Sequence, residues 1–205
     1  QILDSPDPLP AINSAAVNQA MDLCVSCKGC KAECPASVDM ARIKAQVLQH
    51  RNRQNGVPLR SRLIASLPTL AQWGMQAPAL ANAVLSSGLV RRAFGLTPKY
   101  NLPRLARQTW LDWWQLRPTA KSEQKGRILL VVDPFTNYLE PEIGKAAVEF
   151  FEWAGYQVEL TPCLSSGRLQ ISQGMLTDAR ASLTRMIEEL YPAAAQGVPI
   201  IGIEP

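Results

Sequence analysis

From Arg127 onward the chain alternates continuous apolar runs with amphipathic stretches: "RILLVV", "EIGKAAVEFFEWA" before Gly155, "YQVEL", then "TPCLSSGRLQISQG", "TDARASLTRMIEELY" and "VPIIGI". An unbroken apolar run suits a strand buried on both faces, and the longer stretches carry helical spacing. The order predicts β-α-β-α-β with a parallel sheet, a loop over the "TPCLSSGRLQISQG" stretch, and Thr177 capping the second helix. Right-handed crossovers are expected to pack both helices on one side of the sheet. The chain stops at Pro205, directly after the third run, so cover for the other face is expected from a continuation of the polypeptide.

The first half has a different texture. "DSPDPLP" reads as an extended lead-in, and Ser14 is placed to cap a short helix, "AAVNQAMDL", that runs into Cys24. In "VDMARIKAQVLQHRN", Val38, Ile43, Val47 and Leu48 fall near helical spacing, with Ser37 or Asp39 as cap and Gly56 as terminator. Residues 63–90 form 28 positions without a formal charge. Pro68, Pro78, Gly74, Gln72, Gln76 and Asn82 argue against a membrane span there. Two short helices broken near Pro78 are expected, with apolar faces at Leu63, Leu67 and Leu70 and at Leu80 and Val84. A surface that docks on a membrane or a partner is a second reading. Trp110, Trp113 and Trp114 at i, i+3 and i+4 predict an indole stripe on one helical face, facing the core or another domain. "TAKSEQKG" reads as a linker.

Charge sharpens this division. The net charge of +4 conceals a block, residues 40–111, with eleven basic and no acidic residues, between segments carrying two basic and five acidic and eight basic and twelve acidic residues. Groove binding to nucleic acid is not expected, because the basic positions sit at both ends of an uncharged apolar segment.

Four of the five cysteines, Cys24, Cys27, Cys30 and Cys34, form C-x2-C-x2-C-x3-C-P, held between two predicted helices. Such crowding is unlike a disulfide framework and indicates a reducing, intracellular setting. Unbroken two-residue steps let one loop point successive thiolates at one cluster, the known spacing of bacterial 4Fe–4S ferredoxins. Zinc sites favour two C-x2-C pairs on separated segments, and zinc stays as the alternative metal. Gly29 gives the loop a position free to take positive φ, and Pro35 removes an amide donor and directs the chain out. Lys28 and Lys31 read either as solvated charges or as attraction for an acidic redox partner. His50, the only histidine, reads as a surface residue rather than a ligand.

With "CVSCKGCKAECPASVDMARIK" and "NGVPLRSRL", the chain resembles the iron–sulfur region on the C-terminal side of bacterial FAD-linked oxidases related to D-lactate, glycolate and D-2-hydroxyglutarate dehydrogenases. It also resembles the redox subunit of anaerobic glycerol-3-phosphate dehydrogenase and the heterodisulfide reductase family. The resemblance implies an α + α/β fold: an all-helical ferredoxin-like segment (1–56), a basic, apolar helical connector (57–118), a linker (119–126) and a truncated three-stranded parallel β-α-β-α-β domain of cysteine-rich type (127–205). It implies a 4Fe–4S cluster on Cys24, Cys27, Cys30 and Cys34, with FAD and a second cluster in a part preceding Gln1. Cys34 is expected to serve that second cluster while Cys24, Cys27 and Cys30 converge on one point.

The implied function is electron transfer from an upstream flavin domain, of the same polypeptide or of a flavoprotein subunit, that oxidises a 2-hydroxy acid. This chain then has no catalytic residue of its own. Docking of the basic block on the inner face of a membrane, and a cytoplasmic location, complete the expectation. The family's Cys-Cys-Gly turn falls on Ser165-Ser166-Gly167-Arg168, and its earlier cysteine on Asp133. Serine oxygen is a poor ligand for iron–sulfur chemistry, so no second cofactor is expected there. Cys163 is expected to be a lone buried thiol. Two other readings stand beside this one: a redox subunit like heterodisulfide reductase, which needs the missing cysteine pair, and a zinc-stabilised interaction module.

Overall fold

The computed structural model describes residues 14–93, 102–118 and 125–203. Its elements are α1 (Ala15–Leu23), α2 (Gly29–Glu33), α3 (Met40–Asn55), α4 (Leu59–Ala65), α5 (Leu67–Gly74), α6 (Pro78–Ser86), α7 (Gly88–Ala93), α8 (Trp110–Leu116), β1 (Arg127–Val132), α9 (Pro134–Tyr138), α10 (Pro141–Trp153), β2 (Gln157–Cys163), α11 (Arg168–Ser172), α12 (Leu176–Ala195) and β3 (Ile200–Gly202). The proline-rich lead-in and residues 119–124 of the expected linker lie outside the described residues. Two compact units are present: one runs to Ala65 and takes in Gly167–Arg180, and the other comprises Ser66–Ser166 and the chain from Ala181. Among the described residues no helix is long and apolar enough to cross a membrane.

In the first unit the caps fall where the side-chain chemistry puts them. Ser14 Oγ accepts the Val17 amide at the start of α1, and Asp39 accepts the Arg42 amide at 2.9 Å, while Gly56 ends α3 at φ 77°. Helix α11 arises inside the stretch expected to be a loop, because its apolar Leu169 and Ile171 lie on a segment packed against α4. The Gln170 amide donates to the Ala65 carbonyl there, and Asn52 Nδ2 donates to the Gln173 carbonyl at 2.8 Å. Gly174, at φ 68°, is required twice over: a Cβ there would lie within 2.7 Å of Leu48 and Gln49.

The second unit is built on a parallel sheet of order β2-β1-β3. This corrects the expected placement of the crossover helices. The β1-to-β2 connection steps one way and the β2-to-β3 connection returns past β1, so right-handed crossovers lead to opposite faces. Strand β1 is buried from Ile128 to Val132, as its unbroken apolar run predicts. Trp110, fully buried, joins Ile128, Leu130, Val132, Val148 and Val158 in the core, with Trp113 and Trp114 packed against it. The indole stripe is thus core. A capping box between Thr109 and Asp112 starts α8 and fixes the stripe's direction.

Helix α12 differs from its expected bounds in starting before Thr177 and continuing through Pro192 to Ala195. Proline near a helix end forfeits little, since few amide bonds remain beyond it. The segment without formal charge is helical and broken around Pro78, as expected, yet its apolar faces are not core: Leu67, Leu70, Trp73, Leu80 and Val84 are all exposed.

Candidate metal centre and the carboxyl end of the sheet

Cys24 is the C-cap of α1, where its amide donates to the Met21 carbonyl at 3.2 Å. Its own carbonyl accepts Lys44 Nζ at 2.6 Å, which ties the start of the cysteine loop to α3. Ser26 and Lys28 both take left-handed backbone, at φ 58° and 60°, an uncommon conformation for residues with a Cβ, and together they curl the loop around Cys27. The turn α2 carries Cys30, and the Cys34 amide closes it by donating to the Cys30 carbonyl at 3.0 Å. Ser37, left-handed at φ 50°, then folds the chain back, its amide donating to the Cys34 carbonyl at 2.8 Å.

That fold-back turns backbone amides toward sulfur. Hydrogen bonds from Val38 and Ala36 hold the Cys34 thiol below its ordinary pKa, with partial burial opposing them and Ser37 adding a further donor. Such amides favour a thiolate, the form that binds metal. Cys27 and Cys30 are exposed, Cys24 and Cys34 half-buried, and none is in a disulfide. Among the described residues no three Cys, His, Asp or Glu side chains form a group that could hold a metal ion. Cys24, Cys27 and Cys30 are therefore not gathered on one point as expected. One thiol has no attraction for another, and it is the bond to a shared soft cation that closes such a loop. The donor set itself suits iron–sulfur chemistry, with four thiols on one loop and amides facing one sulfur. His50 differs from the expected surface residue: its Nε2 is buried and has no hydrogen-bond partner among the described residues.

In the second unit, polar groups collect at the carboxyl ends of β1 and β2. Asp133 is buried and caps α9, its Oδ1 accepting the amides of Phe135 and Thr136 at 2.8 and 3.0 Å. Asp133, where the resemblance leads one to expect a cysteine, is a helix cap whose Oδ2 has no donor among the described residues. Pro162 lacks an amide, and the ladder shifts register between Leu130 and Val132. Thr161 bridges the fault: its hydroxyl accepts the Val132 amide at 2.9 Å and donates to the Pro162 carbonyl at 2.8 Å.

The bulge sets Cys163 beside Tyr138, whose hydroxyl donates to its sulfur. Burial pushes the Cys163 thiol up to about 11, with the Tyr138 hydrogen bond opposing and the Asp133 charge adding to the rise. Burial likewise pushes Tyr138 up to about 12, the neighbouring Cys163 reinforcing it. Cys163 is a partly buried, protonated thiol. Tyr138 and Lys44 escape sequence reasoning, since each meets its partner through a contact that no local spacing encodes.

A cavity of about 210 Å³ opens at this end of the sheet, reaching from α5 to α12. Pro134, Tyr138, Cys163 and Ser165 form its wall at the strand ends, and Ser182 and Arg185 enter from α12.

The chain thus pairs a helical segment bearing a cysteine loop with a parallel α/β unit. No family model matches it, and no solved structure matches it. Among curated proteins it is similar to enzymes named D-2-hydroxyglutarate dehydrogenase: 29% identical over 205 residues to that of Escherichia coli (strain K12), and 28% and 24% identical over 204 residues to those of Pseudomonas putida and Haemophilus influenzae. Each alignment covers 94% of this chain and 20% of the relative, so the chain spans about a fifth of the length of the proteins it matches.

Proposed function

We propose that this chain is the iron–sulfur electron-transfer segment of a flavin-linked 2-hydroxy-acid oxidoreductase, with D-2-hydroxyglutarate as the acid. The observation that carries the reading is the C-x2-C-x2-C-x3-C-P run with backbone amides turned toward the Cys34 sulfur. Similarity along 94% of the chain to enzymes named for that substrate supports the choice of acid. Cys24, Cys27 and Cys30 would hold one 4Fe–4S centre and Cys34 would ligate a second, each of which when bound accepts and releases single electrons.

The chain's own residues prepare that role. Lys44 anchors the loop at Cys24, and the amides of Ala36, Ser37 and Val38 favour negative charge at Cys34. This separate cradle supports the assignment of Cys34 to a second cluster, completed by ligands outside this chain. Lys28 and Lys31 are exposed on the loop and offer positive charge to an acidic partner. Oxidation of the hydroxy acid to the 2-oxo acid, with release of two electrons and two protons, belongs to a flavin domain elsewhere. The exposed apolar ridge of Leu67, Leu70, Trp73, Leu80 and Val84 lies within the acid-free block, and we assign it to docking on an anionic membrane surface.

The chain purified without oxygen is expected to be brown, to contain iron and acid-labile sulfide in equal amounts, and to give a paramagnetic signal on reduction. Cys24→Ala should remove that signal. A colourless protein with stoichiometric zinc and no iron overturns the assignment. No turnover of D-2-hydroxyglutarate is expected from this chain alone, and turnover with an artificial acceptor and no added flavoprotein contradicts the electron-transfer reading.

A further inference from the structure

The cavity at the carboxyl ends of β1 and β2 is part of neither the cysteine loop nor the apolar ridge. Parallel α/β sheets bind ligands outside the carboxyl ends of their strands, where loops diverge and backbone groups are free to face a guest. Among the described residues one cation faces the space and no carboxylate lines it. Arg185 is exposed on α12, and among the described residues its guanidinium takes part in none of the unit's ion pairs, which join Arg117 to Glu152, Arg127 to Glu159 and Lys145 to Glu142.

Around Arg185 stand neutral donors: the hydroxyls of Thr69, Ser165 and Ser182 and the amide of Gln72. Cys163 and Tyr138 remain protonated at neutral pH, so the wall they form carries no charge. Asp133 stands behind this wall with one carboxylate oxygen engaged by two backbone amides. The rest of the lining, Pro68, Pro134 and Leu164, is apolar. A volume of about 210 Å³ corresponds to on the order of seven waters at about 30 Å³ each, room for a molecule of similar heavy-atom count.

We propose that this cavity is a binding site for a small organic carboxylate, with Arg185 pairing the carboxylate, Ser165 and Ser182 donating to its oxygens, and Pro68, Pro134 and Leu164 covering its carbon skeleton. A guanidinium fork matches two carboxylate oxygens at once, which fixes orientation as well as charge. Inorganic phosphate satisfies the guanidinium equally but leaves the apolar wall against water, so an organic acid fits the whole lining better. This site is independent of the cysteine loop, and its ligand need not be the acid oxidised by the flavin.

Titration calorimetry on the full 205-residue chain tests it, with lactate and succinate as probes and lactamide, succinamide and inorganic phosphate as controls. Saturable binding of at least one acid with a Kd of about 1 mM or tighter is expected, with neither amide binding. Arg185→Gln should weaken that binding at least tenfold, Arg185→Lys less, and Arg180→Gln, on the same helix but outside the cavity lining, should leave it unchanged. Because Arg185 is exposed and in none of these ion pairs, its variants are expected to melt like the wild type, which circular dichroism checks. Absence of saturable binding of either acid overturns the proposal, as does equal loss in Arg180→Gln and Arg185→Gln. Phosphate binding as tight as the better acid refutes the role of the apolar wall.

Discussion

Gly144→Ala sets helix propensity against core packing at one position. Gly144 lies on α10 over the buried face of Trp110, and a Cβ built there falls within 2.6 Å of three carbons of the indole ring. Carbon atoms pack at about 3.5–4.0 Å, so the ring or the helix must move by roughly 1 Å. The ring cannot slide freely, since Trp110 is fully buried among Ile128, Leu130, Val132, Val148 and Val158. Exchanging glycine for alanine inside a helix favours folding by about 1 kcal/mol. Overpacking a dense core opposes it by about 1–3 kcal/mol, and a displacement of this size belongs at the upper end. The net expectation is a loss of about 2 kcal/mol, which at a urea slope of about 2 kcal/mol/M lowers the midpoint by about 1 M.

Equilibrium urea unfolding followed by circular dichroism and indole fluorescence measures it. Gly88→Ala, where a Cβ meets nothing within 4 Å, is the matched control and should be neutral or slightly stabilising. Trp110→Phe combined with Gly144→Ala should be less destabilised than the sum of the single changes, because the smaller ring yields the space. A Gly144→Ala protein as stable as the wild type refutes the close contact and the core assignment built on it.

The Cys163 thiol, raised from 9.0 to about 11, should resist alkylation at pH 8 in the native chain and react once urea unfolds it. Because the folded pKa lies above the unfolded one, its contribution is fully present below about pH 9 and is lost as pH rises through about 11, on the order of 2–3 kcal/mol in alkaline urea titrations. A flat stability profile over that window contradicts the burial argument. Glu152→Gln should destabilise by about 1–3 kcal/mol, since Arg117 is held in a largely buried two-point pair with Glu152 and stacks 4.0 Å from the Trp114 ring centroid; a thermal melt matching wild type tells against it. Co-sedimentation with anionic vesicles should weaken as salt rises and should drop in Trp73→Ser, while binding indifferent to lipid charge removes the electrostatic account.

What could be read from the sequence tracks how local each determinant is. "RILLVV" identifies β1 because a strand buried on both faces leaves no polar position, and Asp39 and Gly56 mark α3 because caps act within four residues. The order β2-β1-β3 is not legible, since pairing joins residues some thirty or more apart and any order satisfies the same run of strands. Helix α9 escapes notice although Asp133 followed by Pro134 is a sound helix start, because Asp133 reads first as the place of a missing cysteine. Periodicity identifies the apolar faces of α5 and α6 but says nothing of what covers them, and both are exposed.

The candidate sites divide the same way, and their chemistry follows from it. The cysteine loop is legible because its four thiols lie within eleven residues, at the known spacing of bacterial iron–sulfur ferredoxins. The cavity is drawn from residues between Pro68 and Arg185, assembled by strand order and by a bulge at Thr161 and Pro162. Ser165 and Ser166, where the resemblance leads one to expect paired cysteines, offer small hard oxygen donors in place of thiols. Asp133, a hard carboxylate, caps α9 and holds the loop after β1 in place. With Cys163 protonated and Arg185, among the described residues, outside the unit's ion pairs, the role proposed for this end of the sheet is recognition of an anion and not ligation of a metal.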